Sequence, residues 1–134
     1  MIKILLFLSL VFIEKPKQDY KILSKLITSE CSICSEEEAL LVASVVLNRV
    51  ESKKFPNTLK EVIFQKNQFY GVKTKWFITT KKSDRIAIKI LNSKNRNKNI
   101  LYFFKENSEN KNFVNRMKKE NRILIKKKYH VFAK

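Results

Sequence analysis

Ser35-Glu36-Glu37-Glu38-Ala39-Leu40-Leu41-Val42-Ala43-Ser44-Val45-Val46-Leu47-Asn48-Arg49-Val50 is the stretch that decides the fold. Ser35 followed three residues later by Glu38 has the form of a capping box, which satisfies orphan N–H groups at a helix start. Glu36, Glu37 and Glu38 then sit where the helix dipole is positive. From Ala39 to Val50 the segment is apolar on nearly every face until Asn48 and Arg49, and such a helix belongs in the middle of a domain.

Working outward, Ile22, Leu23, Leu26 and Ile27 recur at helical spacing between Tyr20 and Glu30, which predicts a preceding helix. On the other side Phe55-Pro56-Asn57 reads as a turn, and Thr58 with Glu61 forms a second capping box for a short helix ending near Gln65. A further helix is predicted over Ser83–Leu91, then a polar loop over Asn92–Asn99 and a strand over Ile100–Phe104. A weak helix over Asn112–Lys119 and one or two strands over Ile123–Ala133 complete the chain. The expectation is an α+β domain, mostly α, with a small C-terminal β element.

The 134 residues suit one small domain, and 44% hydrophobic residues suffice for a core. One glycine, Gly71, and two prolines exclude Gly-rich dinucleotide and phosphate loops and argue against a turn-dense sandwich. The 29 Lys and Arg outweigh 12 Asp and Glu, giving +17, and only five of the basic residues are Arg. Scattered lysines predict attraction to polyanions, whether nucleic acid, anionic lipid or anionic wall polymer. The Lys, Asn and Ile content fits an AT-rich genome. Ile4–Ile13 is an apolar run too short to span a bilayer, preceded by Lys3 and closed by Pro16. Residues 1–17 are therefore set apart as a signal or signal-anchor segment, able to touch a membrane transiently through residues 4–13, from a domain over 18–134. The competing reading is an N-terminal strand or helix packed on that domain.

Glu30 follows Leu23, Leu26 and Ile27 on the apolar face and stands at its helix's C-terminal end. Desolvation and the dipole both raise its pKa there, as a general acid requires. A solvated helix-end glutamate paired with lysine is the alternative. Cys31 and Cys34 make one C-x-x-C without the second pair of a zinc site, and His130 is far away in the chain. They are expected to be free or locally bridged. Aromatic and polar residues interleave at Gln68-Phe69-Tyr70, Trp76-Phe77, Tyr102-Phe103-Phe104 and Tyr129–Phe132, as core or as stacking surfaces.

Ile27-Thr28-Ser29-Glu30, Val42–Val50 with Asn48-Arg49, Phe55-Pro56-Asn57-Thr58 with Val62-Ile63, and Gln68-Phe69 together resemble the SleB/CwlJ-type cell-wall hydrolases, the spore cortex-lytic enzymes and their phage relatives. Leu101-Tyr102-Phe103 and Tyr129-His130-Val131-Phe132 resemble that family's later aromatic strand and its His-containing end. The resemblance spans roughly residues 22–132 and keeps eighteen residues from Glu30 to Asn48. It departs at Glu30-Cys31-Ser32-Ile33-Cys34, where the family reads Glu-Ala-Arg-Gly-Glu, at Glu38, and at Lys128, the last two in the place of glycines.

The resemblance implies a lysozyme-like, lytic-transglycosylase-like fold, with Glu30 as general acid/base cutting peptidoglycan glycan strands between N-acetylmuramic acid and N-acetylglucosamine. Gln68, Phe69, Tyr70, Tyr102 and His130 would contact glycan, with Asn48 and Arg49 supporting the site. A two-carboxylate hydrolase would need Glu36, Glu37, Glu61 or Asp84 as the second acid. No cofactor or metal is implied. The expected partners are peptidoglycan and anionic wall polymers, without specific nucleic acid, and the expected location is the cell envelope, periplasm or wall after export or phage-driven lysis. The runner-up is a peptidoglycan-binding module of the same fold without turnover; a basic nucleic-acid-binding protein is a third reading, for which no recognition element is found.

Overall fold

A computed structural model of the chain describes residues 19–134, so the expectations for residues 1–17 lie outside the described residues. The described part begins within helix α1 (residues 19–31) and continues through α2 (Glu36–Glu51), α3 (Leu59–Ile63), a 3-10 turn (Tyr70–Lys73) and α4 (Lys81–Leu91). Strand β1 (Tyr102–Phe104), α5 (Lys111–Lys119), β2 (Ile123–Lys126) and β3 (Val131–Ala133) follow. The architecture is the expected one, mostly helical with a small C-terminal sheet, into which α5 is inserted between β1 and β2.

Helix α2 is central because its sequence leaves no polar face over most of its length. Ala39, Val42, Ala43, Val45 and Val46 are fully buried, among Leu23, Leu26 and Ile27 of α1, Val62 and Ile63 of α3, Ile86 and Ala87 of α4, and Phe132 of β3. Burying the Val, Leu, Ile and Phe side chains among these stabilises by about 1.5–3 kcal/mol each, set against the entropy of ordering them. Helices α1 and α4 are also joined by hydroxyls: Ser83 Oγ lies 2.9 Å from Ser24 Oγ and accepts from Thr28 Oγ1 at 2.8 Å, while Ser24 donates to Asp84 at 2.6 Å.

Strand β3 is the middle of the sheet, antiparallel to β1 and to β2, with Phe103 opposite Phe132. A smaller core of Phe104, Val114, Met117, Val131 and Ala133 lies between this sheet and α5. Asn121, at φ 54°, ends α5 in the left-handed region. The N–H groups of Asn121 and Arg122 return to the carbonyls of Lys118 and Met117, a Schellman closure that turns the chain into β2.

The caps differ from expectation in instructive ways. Ser35 Oγ does accept from the Glu38 N–H at 3.2 Å. The Glu38 side chain does not return to the cap, since it is taken by Tyr129 and His130. Thr58 Oγ1 accepts from the Glu61 N–H and also donates to the Glu61 carboxylate at 2.7 Å. Helix α4 starts two residues earlier than predicted, because Thr80 and Ser83 form a reciprocal box.

Candidate active site

The last turn of α1 delivers Glu30 to a cleft of about 400 Å³, whose other walls come from the segment around the 3-10 turn and from β1. Leu23, Leu26 and Ile27 bury the same side of α1 and fix its rotation, so the glutamate is carried to the domain's interior edge. Burial raises the Glu30 pKa above the ordinary carboxylate value; the Gly71 N–H and the charge of Lys105 pull the other way. A Cβ on residue 71 would lie 2.6 Å from Ser29 Oγ and 3.0 Å from Glu30 Oε1. The chain's one glycine therefore stands where its backbone must approach the acid closely.

Asn48 and Arg49 hold the cleft's far side from the last turn of α2. Asn48 Nδ2 donates to the carbonyls of Asn97 and Ile100, both at 2.8 Å, and its Oδ1 accepts from Arg96 Nε at 2.9 Å. Arg49 Nε donates to the Leu101 carbonyl at 2.8 Å, and NH1 donates to Gln68 Oε1 at 3.1 Å. The guanidinium lies against the rings of Phe55, Phe69 and Tyr102, 4.6, 5.3 and 5.3 Å from their centroids. Burial brings its pKa down to about 10, which leaves it charged at neutral pH. One buried cation thus fixes both the approach to β1 and the amide at residue 68.

His130 lines the cleft from the β2–β3 turn, with Phe103 edge-on at 5.3 Å. Its Nδ1 lies 2.7 Å from Glu38 Oε2, and Glu38 Oε1 accepts from the Tyr129 N–H at 3.3 Å. The imidazole tautomer sets which partner of this short pair carries the proton. Cys31 and Cys34 form a disulfide directly after Glu30. Of the two expected states, free or locally bridged, the structure has the bridge, and its sulfurs stand 4.0 and 3.8 Å from His130 Nδ1.

Glu30, Gln68, Phe69, Tyr70 and His130, which the sequence singled out, come together around the cleft. Tyr70 is 82% exposed, whereas Phe69 is buried and stacks on Phe103 at 5.8 Å. Tyr102 is different. It is not among the lining residues, and packs instead with Phe55, Phe113, Arg49 and Arg122. Alternation along β1 explains this, because neighbours on a strand face opposite ways and Phe103 has the cleft side.

None of the proposed second acids lines the cleft. Glu36 pairs with Arg85 and Lys89, Glu37 with Lys127, Glu61 with Thr58, and Asp84 with Ser24. Trp76, marked in the sequence as a core or stacking aromatic, also lines the cleft, whereas sequence reasoning missed Gly71 and Lys105 as lining residues and Glu38 as the partner of His130. The solitary glycine was a usable signal; the others had none. A second cavity of about 570 Å³ shares Lys105 and His130 with the first and adds Lys127, Lys128 and Glu106, whose carboxylate pairs with Lys126, so a longer groove continues beyond the cleft that holds the acid.

A family model described as Cell Wall Hydrolase matches residues 35–133. Among solved structures, the catalytic domain of the Bacillus cereus SleB protein is similar at TM-score 0.74 and 26% identity, over 88% of this chain and 91% of that one. The catalytic domain of the germination-specific lytic transglycosylase SleB from Bacillus anthracis is similar at TM-score 0.72 and 27% identity, over 87% of this chain and 93% of that one. No curated protein sequence matches significantly. The fold is therefore the lysozyme-like one of the SleB catalytic domains.

Proposed function

The chain belongs to the cell wall hydrolase family, and on that premise we propose that it cleaves the peptidoglycan glycan strand between N-acetylmuramic acid and N-acetylglucosamine by lytic transglycosylation. One observation carries the reading: among the described residues, Glu30 is the only carboxylate that lines the cleft. A hydrolase using two carboxylates needs a second one about 5–9.5 Å from the first. A single acid suits a route in which one group works twice.

In that route the Glu30 carboxyl gives its proton to the glycosidic oxygen as the C1–O bond breaks, releasing the N-acetylglucosamine hydroxyl. The Glu30 carboxylate then takes the proton of the muramoyl 6-hydroxyl as its oxygen bonds to C1. The product is a 1,6-anhydro sugar and the acid is regenerated without water. The Gly71 N–H contributes a donor for the carboxylate stage. Tyr70 offers an exposed ring for a pyranose face, and Gln68, oriented by Arg49, offers an amide to sugar hydroxyls and N-acetyl groups. Phe69 and Phe103 form the apolar floor beneath them.

The net charge of +17 favours encounter with, and retention on, a wall bearing anionic polymers. The substrate lies outside the cell membrane, where a disulfide such as Cys31–Cys34 persists, and residues 1–17 would serve the passage there. The deciding experiment is digestion of purified peptidoglycan by wild type and by Glu30→Gln, with products identified by mass spectrometry. Anhydro-muropeptides from wild type alone support the proposal. Reducing-end products would replace it with hydrolysis, and binding to sacculi without cutting by either protein would replace it with a binding module.

A further inference from the structure

The Cys31–Cys34 pair does not stand alone in the fold. Cys31 ends α1, Cys34 precedes α2, Glu38 lies in the first turn of α2, and His130 comes from the β2–β3 turn. One ligand atom from each lies within 4.8 Å of all the others. The four residues are 2%, 3%, 1% and 3% exposed. The sequence lacked a second Cys or His near the C-x-x-C, and tertiary contact supplies both missing donors from elsewhere.

We propose that, with the disulfide reduced, Cys31, Cys34, Glu38 and His130 form a four-coordinate site for a divalent transition metal of the Zn²⁺ type. Two thiolates, one imidazole and one carboxylate oxygen are the donor types that tetrahedral zinc accepts, at about 2.0–2.3 Å from the metal. Ligand atoms around such an ion stand roughly 3.3–3.8 Å apart by that geometry. Sulfur–nitrogen separations of 3.8 and 4.0 Å and a Cys34 Sγ–Glu38 Oε2 separation of 3.3 Å already approach this. The His130 Nδ1–Glu38 Oε2 pair, at 2.7 Å, widens as the ion replaces the hydrogen bond between them.

The chemistry balances with a thiol or phosphine reductant supplying two electrons to break the S–S bond. Metal binding then releases the two thiol protons to solvent, and the neutral imidazole binds through Nδ1 with its proton on Nε2. The resulting site has two thiolates and one carboxylate around a dication, a net charge of −1 in a chain of +17. All four positions are filled by protein, so this is a closed structural site with no place for a reacting water. It would clip α1, α2 and the sheet together in the reduced chain, as the disulfide clips α1 to α2 in the oxidised one. Soft sulfur ligands favour Zn²⁺ over Mg²⁺ or Ca²⁺.

The test is anaerobic titration of the full chain with Co²⁺ as spectroscopic probe, in the disulfide form and after reduction by a phosphine. The reduced chain is expected to take up one Co²⁺ with intense tetrahedral d–d bands and a thiolate charge-transfer band, which Zn²⁺ then abolishes. The disulfide form is expected to show neither. Glu38→Gln and Cys34→Ser should each weaken binding by at least the roughly 10–100-fold that loss of an outer-shell partner costs, while Glu37→Gln, on the exposed side of the same turn, should not. Weak octahedral Co²⁺ spectra from the reduced wild type, or spectra identical in the oxidised form, overturn the proposal without recourse to any variant.

Discussion

The two ends of α2 bury polar groups of opposite kinds. At the C-terminal end, Asn48 and Arg49 direct their hydrogen bonds largely at backbone carbonyls, of Asn97, Ile100 and Leu101. At the N-terminal end, Glu38 bonds the Tyr129 N–H and the His130 side chain, with two sulfurs alongside. The first arrangement needs only that a loop pass by with its carbonyls inward. The second needs three separate segments to bring chosen side chains to one point. Glu30 lies between these ends, at the cleft they jointly frame.

The sharpest break in this comparison is at the acid itself. Glu30→Gln keeps the volume and removes the proton, so turnover on peptidoglycan should fall about 10²–10⁴-fold, the usual share of general acid–base catalysis. Thermal melting should change little, which separates the chemical role from folding.

At the C-terminal end, Arg49→Ala removes two charge-assisted hydrogen bonds and the cation between three rings. A loss of about 3 kcal/mol is expected, measured as a lower urea midpoint. Arg49→Lys should recover only part of it, because a point charge cannot serve Leu101 and Gln68 in fixed directions. An undiminished midpoint in Arg49→Ala would show that the struts add nothing to stability.

Gly71→Ala tests the wall opposite the acid. The new methyl must displace Ser29 or Glu30, and a displacement of about 1 Å at a reacting group can cost on the order of 10²-fold in rate. Substrate affinity should change less than turnover.

At the N-terminal end, Glu38→Gln keeps an acceptor for Tyr129 but loses the carboxylate facing His130. In the disulfide form, about 1–2 kcal/mol of destabilisation is expected by denaturant titration. The effect should be smaller than that of Arg49→Ala; the reverse order would make the N-terminal cluster the stronger joint. The smallest effect is expected far from both ends: Asn121→Ala should cost about 1 kcal/mol, because alanine keeps a β-carbon in the left-handed region but loses Asn's local hydrogen bonding, while Asn121→Gly should be nearly neutral.

Much of this architecture was legible in order along the chain. The apolar run Ala39–Val46 announced a central helix, and Leu23, Leu26 and Ile27 announced the helix that covers it, because local periodicity and burial are tied by the same geometry. The start of α4 was misplaced, since Thr80 and Ser83 form a hydroxyl pair that is weaker in sequence than Ser or Thr with Glu. Glu38 was read as a capping acid for the same reason in reverse: its spacing from Ser35 fits a box, and nothing local says that His130 arrives to take the side chain. Tyr102 was placed among glycan contacts, although the sheet turns Phe103 toward the cleft and leaves Tyr102 on Arg49 and Arg122.

The sequence by itself determined the order of elements, the cationic surface and the single glutamate at the end of α1, because these depend on composition and on spacing within one segment. Tertiary structure alone decided that Gly71 presses on that glutamate, that among the described residues no second carboxylate lines its cleft, and that Cys31, Cys34, Glu38 and His130 meet. Those outcomes depend on how segments up to 99 residues apart pack, where one side chain's surroundings are fixed by the registry of others and by no local pattern.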